Sequence, residues 1–319
     1  MKRYIAAVIA TVLSVLCAHA QEWPAKTVRI IVPFAAGATP DLVARLVAER
    51  LQEQLGQTFI VENKPGASGN AGTDAVAKSL PDGATIGVSI AGPLAINTLL
   101  FAHLPYDPRK DLTLITALVT QPSALAVNAS LGVNSVPELV DLIRRNPGKF
   151  NFGSIGTGSL SHLAMEAIAL KSGTRLVHVP YASSPQAVTA LMRNEVQMVC
   201  LPAISITPQL GDGAIRFLAI TTAKRSPLLP DAPTLKESGI DVQADAWMGL
   251  IAPAGISGPV VERINHLVGE AITSPAIRQK LFAQLMEPIP GTPAEFRARI
   301  DGDIARWKPV IQAAKIKVE

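Results

Sequence analysis

Val28-Arg-Ile-Ile-Val-Pro-Phe-Ala-Ala-Gly-Ala-Thr-Pro-Asp-Leu42 is the stretch on which the fold turns. Its first five residues are a short β-branched strand that stops at Pro33. Phe34 to Ala38 form a small-residue loop. Thr39 then reads as an N-cap, with Pro40 at the first helical position and Asp41 in the first turn, each favourable there. Leu42, Leu46, Leu51 and Leu55 mark one face of the helix, and Gly56 ends it. The unit is strand, loop, helix.

Working outward, the unit recurs. Phe59-Ile-Val61 is a strand, Lys64-Pro-Gly-Ala-Ser-Gly69 a turn, and residues 72–80 a helix closed by Pro81-Asp-Gly83. Residues 84–90 form a strand running into Ala91-Gly-Pro93. Further strands are expected at 114–119, 123–127, 175–179, 196–201, 217–222 and 247–252. Ser135 opens a helix, as does the loop from Ser154 to Ser159, and helices near 259–274, 275–285 and 293–314 close the chain. Such alternation argues an α/β architecture with mostly parallel sheets, and two series of it argue two lobes.

Composition bounds the function. The 319 residues are 48% hydrophobic and 17% charged, enough to bury a core and too apolar for disorder. Lys+Arg 29 against Asp+Glu 25 leaves a net charge of +4, with no basic cluster interleaved with aromatics, so no nucleic-acid partner is expected. Aromatics are 4%, which points to a pocket of backbone and small side chains.

The first twenty residues read as an export signal: Lys2 and Arg3, an apolar run to Cys17, then Ala18-His-Ala20. Cleavage after Ala20 lowers the net charge from +4 to +2 and leaves Cys200 as the lone cysteine, in an apolar run that argues a buried thiol. The periplasm is the expected compartment.

Three strands run into loops of small residues that open helices, at residues 35–39, 64–70 and 154–159. In open α/β sheets ligands sit beyond the carboxyl ends of strands. Free N–H groups and the helix dipole there favour an anion. Hydroxyls at Thr39, Ser68, Thr157, Ser159 and Ser161 add donors. A carboxylate-sized anion site shared by both halves is therefore expected. The enzyme motifs fail. A P-loop needs Lys where Gly158 stands, and a dinucleotide fingerprint needs Gly or Ala where Ser161 stands. His162 and Glu166 share a helix face but lack a third metal ligand, and no Gly-x-Ser-x-Gly elbow exists. Neither an enzyme, a metal nor a cofactor is expected. His178, in an apolar strand, reads as a satisfied core histidine.

The order and spacing of several landmarks then resemble one family over the whole length beyond the signal. They include Trp23-Pro-Ala-Lys, Ile31-Val-Pro-Phe-Ala-Ala-Gly37, Val61-Glu-Asn-Lys-Pro-Gly66, Pro81-Asp-Gly83, Leu104-Pro-Tyr-Asp-Pro108, Asn151-Phe-Gly-Ser154, Val177-His-Val-Pro-Tyr181 and Leu250-Ile-Ala-Pro-Ala-Gly255. The chain resembles the periplasmic solute-binding proteins of tripartite tricarboxylate transporters, the Bug family. The resemblance implies a type II periplasmic-binding fold whose two lobes close on a small carboxylate, di-, tri- or aromatic. A first lobe of residues 21–123 and 224–319 and a second of 124–223 would be joined by crossovers near 122–127 and 218–223.

The site implied by the resemblance comprises Phe34, Ala35, Gly37, Ala38, Thr39 and Asp41 in the first loop, with Ala91 and Gly92 beside it. Ser154, Gly156, Thr157, Ser159 and His162 would come from the second lobe, lined further by Tyr181, Ala182, Leu201 and Pro202. A monomer delivering its ligand to membrane subunits is the implied role; the alternative is a sensing module feeding a signalling receptor. Two departures matter. Gly37-Ala38 stands where many members have Gly-Gly, and Leu201-Pro202 where many have an acidic residue and Asn. Loss of that acid argues against an amino-acid ligand and for a plain or aromatic carboxylate.

Overall fold

The structure, a computed structural model, describes residues 23–318. The expected signal and its cleavage after Ala20 lie outside the described residues. Two sheets organise the chain. The first has strand order β11-β4-β10-β3-β1-β2 and the second β7-β6-β8-β5-β9.

In the first, β1 (Val28–Val32), β2 (Phe59–Asn63) and β3 (Thr85–Ile90) are parallel, joined by α1 (Thr39–Leu55) and α2 (Asn70–Ala77). After β3 a short turn over Gly92–Ile96 leads into α3 (Asn97–Leu100). Then β4 (Leu112–Gln121) runs into β5 (Ser123–Asn128), which belongs to the second sheet. The second sheet continues through α4 (Val136–Arg145), β6 (Asn151–Ser154), α5 (Leu160–Ser172), β7 (Val177–Pro180), α6 (Ser184–Met192), β8 (Met198–Pro202), α7 (Ala203–Ile206) and β9 (Ile215–Ile220). The chain returns to the first sheet with β10 (Ala246–Pro253), followed by α8 (Gly258–Thr273), α9 (Pro275–Phe282), β11 (Glu287–Pro288) and α10 (Pro293–Ala314).

The sheets are mixed, which corrects the expectation of mostly parallel strands. The βαβ units give parallel neighbours, β1 with β2 and β3, and β6 with β7 and β8. The strands beside the crossings, β4, β5 and β10, run against theirs. The reason is topological: a strand that leaves one sheet for the other returns in the opposite sense. At the crossing the two passages are tied side by side. Thr221 N–H donates to Ser123 O at 2.9 Å, and Ser123 N–H to Thr221 Oγ1 at 3.2 Å.

Local chemistry explains most boundaries. Gly56 caps α1 in the left-handed region at φ 65°. Ser135 accepts the Glu138 N–H at the start of α4, and Thr292 and Glu295 form a reciprocal capping box on α10. Thr39 does not cap α1; Ala38 takes that position without a side-chain bond. The most deeply buried face of α1 is Val43, Val47 and Leu51. α10 packs on β4 and also on α5, so one helix spans both sheet units.

Candidate functional site

A cavity of about 480 Å³ opens where the strand ends of the two sheets face each other. Phe34, Ala38, Thr39 and Pro40 reach it after β1, Ser68 after β2, and Ala91, Gly92 and Asn97 after β3. From the second sheet come residues 155–161, after β6, and Pro202 at the end of β8. Gln121 and Ser123 floor it on either side of the crossing, and Trp247, Phe101 and Val318 complete the wall. No charged side chain is among these lining residues. Phe34, Phe101 and Trp247 make the wall more aromatic than composition implied.

Two helix N-termini, one from each sheet unit, reach the cavity with their first residues. The first-turn N–H groups of α1 have no intrahelical acceptor, and Thr39 lies on the wall. Asp41 serves the loop from behind. Its Oδ2 accepts from Gly37 N–H at 2.9 Å and Arg45 Nε at 2.9 Å, and its Oδ1 from Asn63 Nδ2 at 2.9 Å. Burial pulls this carboxyl upward, but the bonds from Arg45, Gly37 and Asn63 outweigh it and hold it below the usual carboxylate range. Asp41 is buried and lies off the wall, as do exposed Ala35 and Gly37.

The second N-terminus is α5. Ser159 caps it, accepting His162 N–H at 3.3 Å and donating to Gly156 O at 2.6 Å. Ser161 Oγ accepts Ile155 N–H at 3.0 Å, which sets the loop's curvature. Thr157 and Gly156 line the cavity. Ser154 is fully buried beneath them, with Oγ accepting Gly156 N–H at 3.1 Å. His162 is also beneath the loop: Gly158 N–H donates to its Nδ1 at 3.1 Å. Tyr181, half-buried, pairs its N–H with Ser154 O at 2.9 Å, and Ala182 is exposed; neither lines the cavity. Leu201 is buried among Ala124, Val199 and Ala203, so only Pro202 of that pair meets the cavity.

Ser68 is an expected donor, but three things escape sequence reading: the backbone that presents it, the Trp247 ring and the place of Gln121. Ser68 sits at φ 55° and Ala67 at φ 47°, in the left-handed region. Asn97 Nδ2 holds Ser68 O at 3.2 Å and Asn70 Oδ1 at 2.7 Å, fixing this costly geometry. Trp247 spends its only donor on Asp303 Oδ2 at 2.7 Å and offers the cavity ring carbon. Burial raises the Asp303 carboxyl, opposed by that indole bond and by Arg306. Gln121 Nε2 is likewise taken by Gln284 O at 2.8 Å. Gln121 and Ser123, polar residues flanking Pro122 inside an apolar run, are the local signal that could have marked the crossing.

Donor accounting decides what this cavity can hold. The hydroxyls of Thr39, Ser68, Ser123 and Thr157 have no partner among the described residues, while the larger polar side chains are committed to the protein. Neutral donors at two helix N-termini recognise an anion without a cation beside it.

Residues 43–316 match the family model described as the tripartite tricarboxylate transporter family receptor. The chain belongs to that family. It is 32% identical to the protein BugT of Bordetella pertussis over 94% of this chain and 93% of that one. An R. palustris protein solved with adipate is 34% identical and superposes with a TM-score of 0.80, covering 93% of this chain and 99% of its own. MatC from Rhodopseudomonas palustris, solved with bound malate, is 29% identical at TM-score 0.75, covering 91% and 100%. The fold is that of the periplasmic binding proteins of this Bug type, and the chain is a solute-binding receptor, not an enzyme.

Proposed function

We propose that this receptor captures a carboxylate with a largely apolar body, an aliphatic dicarboxylate or an aromatic acid, and hands it to the membrane subunits of a tripartite transporter. The observation that carries the reading is the pairing of two helix N-termini across a cavity with no charged lining residue. Carboxylate oxygens would accept from α1 and α5 and from the free hydroxyls, while Phe34, Leu100, Phe101 and Trp247 cover the carbon skeleton. Adipate bound to the 34%-identical neighbour supports a ligand of this size and class. An α-ammonium group would find no carboxylate on the wall, which disfavours amino acids.

Capture proceeds in this reading by closure of two lobes, residues 21–123 with 224–319 against 124–223, about the paired passages at Ser123 and Thr221. The chain works as a monomer, released to the periplasm by cleavage after Ala20. Thermal-shift and calorimetric titration with adipate, terephthalate, benzoate, malate and glutamate test the ligand. Adipate or an aromatic acid should raise the melting temperature most, since binding only the folded state stabilises it. Preference for glutamate over every unsubstituted acid refutes the reading.

A further inference from the structure

Behind the second anion loop lie two histidines whose rings stack. Their centroids are 3.7 Å apart and their planes differ by 8°. Phe152 stacks on His178 at 5.0 Å and on His162 at 5.9 Å. The pair grips both ends of the loop. His178 Nε2 is 2.6 Å from Ser154 Oγ, the hydroxyl that accepts Gly156 N–H. His162 Nδ1 accepts Gly158 N–H at 3.1 Å, and its own N–H is held by Ser159 Oγ. The remaining nitrogen of His162, Nε2, lies 3.5 Å from Glu166 Oε1. Neither ring lines the cavity.

These bonds fix the protonation state. A backbone N–H can only donate, so His162 Nδ1 must carry a lone pair, and the ring proton stands on Nε2 facing Glu166. Protonating Nδ1 would set one N–H against another and detach Gly158 from its support. The stack makes a second charge harder still, because two imidazolium rings at 3.7 Å repel.

We propose that His162 and His178 are the positioning residues of the anion loop, and that ligand binding requires both rings neutral. The inference rests on the placement of the ligand at the loop of residues 154–159. The titratable groups facing the pair are the two rings themselves and Glu166; Phe152 and the loop backbone cover the other contacts described. Burial, and then the neighbouring His162, push His178 down to about 4, against a weaker upward pull from Glu166. His178 thus stays neutral through mild acid.

The test compares wild type with His162→Asn and His162→Leu. Asn presents an oxygen where Nδ1 stands and does not titrate; Leu presents no acceptor. Adipate affinity of the wild type should fall at least tenfold between pH 7.5 and 5. The Asn variant should bind with a flat profile over that range, and the Leu variant weakly at both ends. In the ligand-free proteins, the protection factor of the Gly158 amide, its exchange rate corrected for the intrinsic pH dependence of exchange, should fall with acid in wild type and stay constant in the Asn variant. A wild-type Gly158 amide equally protected at pH 7.5 and 5 overturns the proposal, as does an Asn variant with the wild-type pH dependence. Because that amide is read without ligand, the positioning proposal is decided even if adipate fails to bind, an outcome that would count only against the ligand class.

Discussion

Gly158→Ala tests whether the two sheet units meet over the ligand. Gly158 sits at φ +77°, and a Cβ built on it would stand 2.6 Å from Leu100 Cδ1 and 3.1 Å from Val318 Cγ2. Leu100 comes from α3 beside the first sheet and is buried, so its side chain has little room to turn aside. Two costs follow. The left-handed backbone costs alanine about 1–2 kcal/mol whether or not ligand is present. In the proposed lobe closure, overpacking against Leu100 and Val318 costs about 1–3 kcal/mol and is incurred as the loop is brought onto α3. The second cost falls on binding, and at 1.4 kcal/mol per decade it weakens affinity about 5- to 150-fold. Calorimetric titration with the best carboxylate of the series above reads it. Leu100→Ala removes the obstructing methyl, so the double variant should bind more tightly than Leu100→Ala and Gly158→Ala costs combined would give. Unchanged affinity in Gly158→Ala, or strict additivity in the cycle, refutes a closed contact between these residues.

Two further outcomes concern the core. In Gly249→Ala, a Cβ on β10 would fall 2.0 Å from Phe296 Cζ, and Phe296 is fully buried and edge-on to Trp247 at 5.6 Å. α10 would have to lift from the sheet, so chemical denaturation should show a loss of about 3 kcal/mol or more, and wild-type stability would contradict the packing. Cys200 is fully buried and burial pushes its thiol up to about 12, so in the chain without residues 1–20 a disulfide-exchange reagent should label it only on unfolding. Stoichiometric labelling of the folded protein at pH 8 would show the thiol to be accessible.

Much of this was legible in the sequence because periodicity and turn chemistry are local. The β1 strand, the Gly56 cap and the Ser135 cap follow from residues within a few positions of each other. Phe34, Ala38, Thr39, Gly156, Thr157 and Ser159 reach the cavity because loops after strand ends must open there. What escaped depends on partners far along the chain. Asp41 bonds Asn63 and lies off the cavity wall, Trp247 is brought to the wall from β10, and Val318 arrives from the far end. Strand sense escaped for the same reason: nothing in residues 246–253 declares that they pair antiparallel with both β3 and β4. His162 shows the limit from the other side. Its position beside the loop was visible, but the use of Nδ1 as an acceptor for Gly158 N–H required the turn itself.

The place of β10 has a consequence for the order in which the molecule can be made. It lies between β4 and β3, near the middle of the first sheet, yet it pairs residues 125 positions apart, Ala246 with Gln121. Until those residues leave the ribosome, β3 and β4 each present a bare edge, and closing so distant a pairing is slow. The second sheet suffers no such delay, since β5 to β9 are contiguous in the chain. A nascent chain would therefore complete its inserted half first and leave the half that begins it open. That sequence of events keeps the half that begins the chain open longest, a useful state for any polypeptide that threads through a membrane before it folds.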